Sequence, residues 1–280
     1  MVEAGVREAA GVAVGRNRSQ ARREWAQEVG ALTRRWYLQL VRDRLNLIFS
    51  LTQPAFWLIF FGGAIGRAVD TDIIGTTNYV GFMLAGIIAF TVVTNAMTGA
   101  MPLLWDKETG YLDKLLSMPM ARSSLIVSRF LFQFGLGTAQ VLLVFLVAVA
   151  TAVDIAAGVA GALMILVVAG LLSMAFSAVF TALAFRVPTH GTFFAITGFV
   201  TLPLVFMSNA FVPIEAMPPW MAAFARLNPL SYAVEAVRIL ILGGWQAGVA
   251  GSMAVLAAFA AACLALATFE FRRHTGQRVD

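Results

Sequence analysis

Long uncharged stretches alternate with short charged ones along this chain. The uncharged runs fall at residues 45–66, 73–105, 130–153, 155–185, 187–214 and 239–269, and each exceeds the roughly 20 residues an α-helix needs to cross hydrocarbon. They are continuously apolar, without the two-residue alternation of a lipid-facing strand, and a backbone in lipid must satisfy its polar groups within the segment. The pattern predicts an all-α polytopic membrane protein with six transmembrane helices.

Two further segments are patterned differently. Residues 1–19 are rich in Gly, Ala and Arg without helical periodicity, which predicts a mobile tail. From residue 20, Trp25, Val29, Leu32, Trp36 and Leu40 recur at helical spacing, with Arg22, Arg23, Arg34, Arg35 and Arg42 on other faces. That predicts an amphipathic interfacial helix over 20–44 on the cytoplasmic leaflet, read first as a membrane anchor and second as an anchor that also contacts a partner protein. In residues 213–246, Pro213, Pro218, Pro219 and Pro229 forbid one continuous helix. Two short helices are expected there, the second capped by Asn228, begun by Pro229 and stopped at Gly243 and Gly244. At about 14 residues it reaches only about 21 Å, so 213–246 reads as an external re-entrant or interfacial hairpin before the last helix.

Composition agrees: 60% of residues are hydrophobic and 12% charged, and the mean hydropathy is +0.81, outside the range of a soluble domain. Lys and Arg fix an orientation, because short cytoplasmic loops retain them. With both termini inside, 17 of the 20 basic residues are cytoplasmic and only Arg67, Arg226 and Arg238 external. The net charge of +5 therefore reflects membrane-edge Arg and not nucleic-acid binding. The one cysteine, Cys263, allows no intrachain disulfide. The patch at residues 9–14 is too short for a signal peptide and is followed by its Arg residues, so the first long run is expected to serve as an uncleaved anchor.

The charged island at 105–124 is the main candidate for chemistry. On a helix, Tyr111, Leu115 and Met118 share one face, as do Leu112 and Leu116, while Asp106, Lys107, Glu108, Asp113 and Lys114 supply charge. Pro119 ends the segment, and Ser123 or Ser124 can cap the next helix. Two readings stay open on physics alone: a helix that fits a groove of a soluble partner, and a solvated connecting helix.

The run Glu108-Thr109-Gly110-Tyr111-Leu112-Asp113-Lys114-Leu115-Leu116-Ser117-Met118-Pro119-Met120, followed by Arg122, resembles the cytoplasmic motif of ABC-2 exporter permeases. Phe206-Met207-Ser208-Asn209-Ala210-Phe211-Val212-Pro213, then Met217-Pro218-Pro219-Trp220, Asn228-Pro229-Leu230, Tyr232, Glu235-Ala236 and Arg238, is similar to the signature before that family's last helix, above all in its daunorubicin-resistance-like branch. The resemblance covers residues 20–272, leaving the tail 1–19 and a cytoplasmic tail 273–280 outside. It implies a transport subunit of the bacterial cytoplasmic (inner) membrane, paired with a second permease subunit, most simply as a homodimer, and with two copies of a nucleotide-binding ABC ATPase. No cofactor would be bound directly, ATP and Mg being held by the partner; the chain has no G-x-x-x-x-G-K-[ST] P-loop.

By the same resemblance, Glu108, Gly110, Tyr111, Leu112, Asp113, Leu115 and Leu116 form the coupling helix. Tyr111, Leu112, Leu115 and Leu116 would pack into the ATPase, with Glu108 and Asp113 orienting it by charge. In the fifth run, Thr197, Thr201, Phe206, Ser208, Asn209 and Phe211 are candidates to line a path for an amphipathic, drug- or antibiotic-like substrate, although such residues also serve ordinary helix packing. In the hairpin, Asn228, Tyr232, Glu235 and Arg238 are the notable polar positions, with Glu235 and Arg238 spaced to pair. Asp70, Asp72, His190 and His274 show no zinc spacing, and no metal or catalytic site is expected. The alternatives are export of polysaccharide or lipid-linked glycan by the same architecture and, more distantly, a membrane-embedded lipid-modifying enzyme. A secondary transporter would need internal repeats and mid-membrane ionisable groups, and neither is found.

Overall fold

A computed structural model describes residues 18–64, 78–118, 120–151, 153 and 155–276; residues 1–17 of the expected tail, most of the first external connection and the last four residues lie outside them. Every regular element among the described residues is helical. Helix α1 (Arg18–Arg42) is followed by α2 (Arg44–Ala64), α3 (Tyr79–Gly99), α4 (Met101–Glu108), α5 (Tyr111–Leu116), α6 (Arg122–Ala150), α7 (Gly158–Arg186) and α8 (His190–Phe206). After a short 3-10 turn at Ile214–Ala216 come α9 (Pro219–Leu227), α10 (Pro229–Arg238), a π turn at Ile239–Gly243 and α11 (Ala247–Gly276).

Helix boundaries follow local chemistry. The Asp43 carboxylate accepts from Asn46 N at 3.2 Å and opens α2, and Asn78 does the same for α3 through Gly81 N at 2.9 Å. Pro102 at the start of α4 and the left-handed Gly110, at φ 70°, set the corner between α4 and α5. The predicted start of α10 is present: Asn228 Oδ1 accepts from Leu230 N at 3.0 Å with Pro229 at the first position.

Five stretches, Arg44–Gly63, Tyr79–Glu108, Ser123–Ala150, Gly158–Arg186 and Ala247–Phe269, are long and apolar enough to cross a membrane. The run at 187–214 differs from expectation, yielding the 17-residue α8 and then a turn. Pro203 lies in its last turn, and Ser208 Oγ donates to Val205 O at 2.6 Å while accepting from Ala210 N at 3.2 Å. The side chain thus offers the backbone an alternative to further helix.

Helix α3 is the hub, with α2, α6, α7 and α10 packed around it and 78% of its spanning window buried, against 17% for α2. Lipid tails are as apolar as Leu, so helices in a bilayer associate through close packing more than through the hydrophobic effect. Gly86 shows how close: a Cβ there would collide with the backbone of Ala210 in the turn after α8. The apolar stripe of α1 is used inside the chain, with Val29, Leu32 and Trp36 buried where α1 packs on α6.

Candidate functional site

The corner between α4 and α5 joins more of the molecule than its length suggests. Three consecutive charges at the end of α4 each reach a different element. Asp106, nearly buried, accepts from Arg35 of α1 at 3.1 Å. Lys107 Nζ donates to Phe185 O at 2.8 Å and Val187 O at 2.9 Å, placing its charge on the carbonyl end of α7. Glu108 Oε1 accepts from His190 N at 2.8 Å, and Oε2 lies 2.7 Å from His190 Nδ1, so a carboxylate caps the amide end of α8. Trp105 adds a ring contact with His190 at 4.6 Å between centroids.

Around this knot α1 is fastened twice more. Glu28 accepts from Ala121 N at 3.0 Å, at the start of α6, and Trp25 Nε1 donates to Ser123 Oγ at 3.0 Å. The Arg35 guanidinium lies 4.7 Å from the Trp36 ring centroid and 4.5 Å from that of Tyr111, with Arg129 on Trp36 at 4.8 Å. Cationic stacking of this kind holds α5 to α1.

This geometry corrects the expected face of α5. Leu112 and Leu115, expected to pack into a partner, are 6% and 4% exposed and belong to the chain's own core. Tyr111 is half-buried beneath Arg35, and Glu108 is engaged with His190 instead of facing outward. The reason is general: an amphipathic pattern identifies an apolar face but not what covers it. Asp113, Lys114, Ser117 and Met118 are exposed, and the Leu116 side chain lies outside the described part. Arg35, Asp106 and Lys107 were read only as charge on helix faces and His190 only as lacking zinc spacing, so their joining was not foreseen. A run of three charges at the end of an apolar span was their available signal, since an ionisable group so placed is ordinarily paired.

At the other end of α8, Asn228 Nδ2 donates to Leu204 O at 2.6 Å while its Oδ1 caps α10, so one amide closes two helices. In place of an ion pair with Glu235, which is exposed, Arg238 donates to Asn209 O at 2.7 Å and lies 3.7 Å from the Phe82 ring centroid. Tyr232 donates to Arg226 O at 2.8 Å. Of the expected path residues, Thr197, Thr201, Ser208 and Asn209 are buried, and Phe206 stacks on Phe211 at 5.4 Å. The turn is thus a packed joint of α8, α10 and α3.

Compared with known families, residues 27–242 match the model of the ABC-2 type transporter. The chain belongs to the ABC-2 transporter family. It is 34% identical over 218 residues to the protein named transport permease ycf38 of Porphyra purpurea, covering 78% of this chain and 75% of that one. It is 29% identical over 232 residues to the daunorubicin resistance ABC transporter permease protein DrrB1 of Streptomyces coeruleorubidus, covering 76% and 77%. With the inner membrane transport permease YadH of Escherichia coli K12 it shares 27% over 227 residues, covering 78% and 81%. Within this ABC-2 chain, the matched region holds both joints of α8, the charged knot at its start and the Asn228–Arg238 turn at its end.

Proposed function

We propose that this chain is the membrane-spanning subunit of an ATP-driven exporter, and that the α4–α5 corner receives the nucleotide-binding ABC ATPase. The observation that carries the reading is the knot itself: Asp106, Lys107 and Glu108 fasten the end of α4, from which the half-exposed α5 projects, to α1, α7 and α8 together. A push on α5 is then shared by three elements and not absorbed by a flexible loop. Closure of the ATPase pair would tilt α8 and α7 through these contacts, which is how differential binding of nucleotide states becomes a change of access. ATP and Mg belong to the partner in this reading, and the chain is not itself an enzyme.

In the same reading α8 with its following turn is the fifth of six spans, and α9 with α10 is a re-entrant hairpin at the outer face. The buried face of α10, with Leu230, Ala233, Val234 and Val237, supports re-entry over a surface position, and the positive-inside count supports cytoplasmic termini. A homodimer in a bacterial inner membrane, served by two ATPase copies, completes the proposal. The weakly covered faces of α2 and α8 suit a second subunit. An amphipathic cargo of the drug or antibiotic class is favoured by the daunorubicin-resistance relative. Thr197, Thr201, Ser208 and Asn209 then act by shaping the α8 joint, and Phe206 and Phe211 by bordering the path.

Affinity purification of the tagged chain in mild detergent tests the reading. A P-loop ATPase should co-purify with the wild type. Asp113→Lys combined with Lys114→Glu should weaken it by about ten-fold, the scale of a reversed interfacial charge. Wild-type chain recovered alone would sink the docking assignment.

A further inference from the structure

A polar recess in the transmembrane body lies away from α8. Two adjoining cavities, of about 290 Å³ and about 500 Å³, run between α2, α3 and α6, the larger also against α1 and α4, and share Asn46, Ser50, Asn95 and Thr98 on their walls. The larger reaches Trp105 and Asp106 at the knot, and the smaller extends along α2 to Gln53 and Trp57. Together they make a cleft that begins at the α4–α5 end and climbs the bundle, of the size that holds drug-like molecules.

Two wall groups are buried without a partner. Thr91 Oγ1, in a residue 3% exposed, and Gln140 Oε1, in a residue 5% exposed, make no hydrogen bond. Gln140 is oriented by its own amide, which donates to Ser50 O at 2.8 Å. A buried polar atom left unpaired costs stability, and an apolar residue of the same shape would remove that cost. Along the smaller cavity no wall residue is charged. Its chemistry is amide and hydroxyl on one side and aromatic, from Phe49 and Trp57, on the other.

We propose that this cleft binds the uncharged, hydroxyl-bearing part of an amphipathic ligand such as a glycoside, with Thr91 and Gln140 completing their hydrogen bonds to it. The proposal rests on the exporter reading for its purpose, since a cargo site opening at the ATPase end is where transport would begin. The neutral lining of the smaller cavity, with Asp43 and Asp106 on the wall of the larger, selects against anionic head groups, which would lose hydration there without a countercharge. The site uses α2, α3 and α6, none of which supplied the path residues expected from the sequence.

The test uses the full chain in phosphatidylcholine nanodiscs without ATP or ATPase. The probe is a dodecyl glycoside carrying a photoactivatable diazirine, and labelled peptides are mapped by mass spectrometry. Labelling should concentrate on residues 46–57 and 91–98, and dodecyl maltoside should compete while dodecyl sulfate does not. Thr91→Val and Gln140→Leu should each reduce that labelling about five-fold, the scale of one lost hydrogen bond; Thr91→Val should leave thermal stability equal or raised, whereas Gln140→Leu also gives up the bond to Ser50 O, which has no backbone donor at Pro54, and should lower it modestly. Phe199→Ala, on the exposed face of α8, should change nothing. Uniform labelling of lipid-facing surfaces, equal competition by the sulfate, or variants that alter the dimer fraction and not labelling would overturn the proposal. Because ATPase recovery is scored separately, a failed cleft leaves the exporter reading standing, and a failed exporter reading leaves the binding result readable.

Discussion

Gly86 and Asn228 carry the joint after α8 at the level of single residues. Adding a methyl group at Gly86 drives it into the Ala210 backbone, so Gly86→Ala should destabilise the chain by about 1–3 kcal/mol, as overpacking does. Gly30, on the exposed side of α1 with open space around it, is the control. Gly30→Ala should be neutral or stabilising by up to about 1 kcal/mol. Thermal unfolding in one detergent compares them directly. Asn228 has two duties that substitution separates. Asn228→Asp keeps the oxygen that caps α10 and loses the donor to Leu204 O, whereas Asn228→Ala loses both. Midpoints should fall in the order wild type, Asp, Ala, with the alanine cost about 1–3 kcal/mol. An aspartate as damaging as alanine would show that the bond to α8 carries the whole effect.

For whole elements, the α4 triplet turns separate helices into one lever. Arg35 and Asp106 should couple by about 1 kcal/mol in a double-mutant cycle of Arg35→Gln and Asp106→Asn, because the pair is largely shielded and joined by a direct charged hydrogen bond. A coupling near zero would mean that α1 is held to α4 by packing alone. Five spanning helices were legible as apolar runs, and α10 was legible from Asn228-Pro229 and its closing glycines. The end of α8 was not. Its apolar run continues past Phe206, and the turn rests on Ser208 folding back onto Val205 O together with distant residues, Asn228 donating to Leu204 O and Arg238 to Asn209 O. The inward face of α5 was likewise hidden, since Leu112 and Leu115 carry the same spacing whether their cover is a partner or the chain's own bundle.

Across the whole molecule, α8 connects two fastened ends. Glu108 of α4 holds its start and Asn228 its finish, while few side chains pack along its length. An element tied at both ends and loosely packed between them moves as a unit when one end is displaced, which is the property a transmission helix needs. Cys263 is the chain's single cysteine, so a Cys263→Ser background leaves room for one reporter. Val212→Cys, exposed in the far turn, reports movement there. Its rate of reaction with maleimide, in nanodisc complexes with the co-purified ATPase, should change several-fold on adding ATP. With Lys107→Met and Glu108→Gln added, the complex should still form and hydrolyse ATP, but the rate should no longer respond. A reporter that answers ATP equally well with the knot removed would contradict the account.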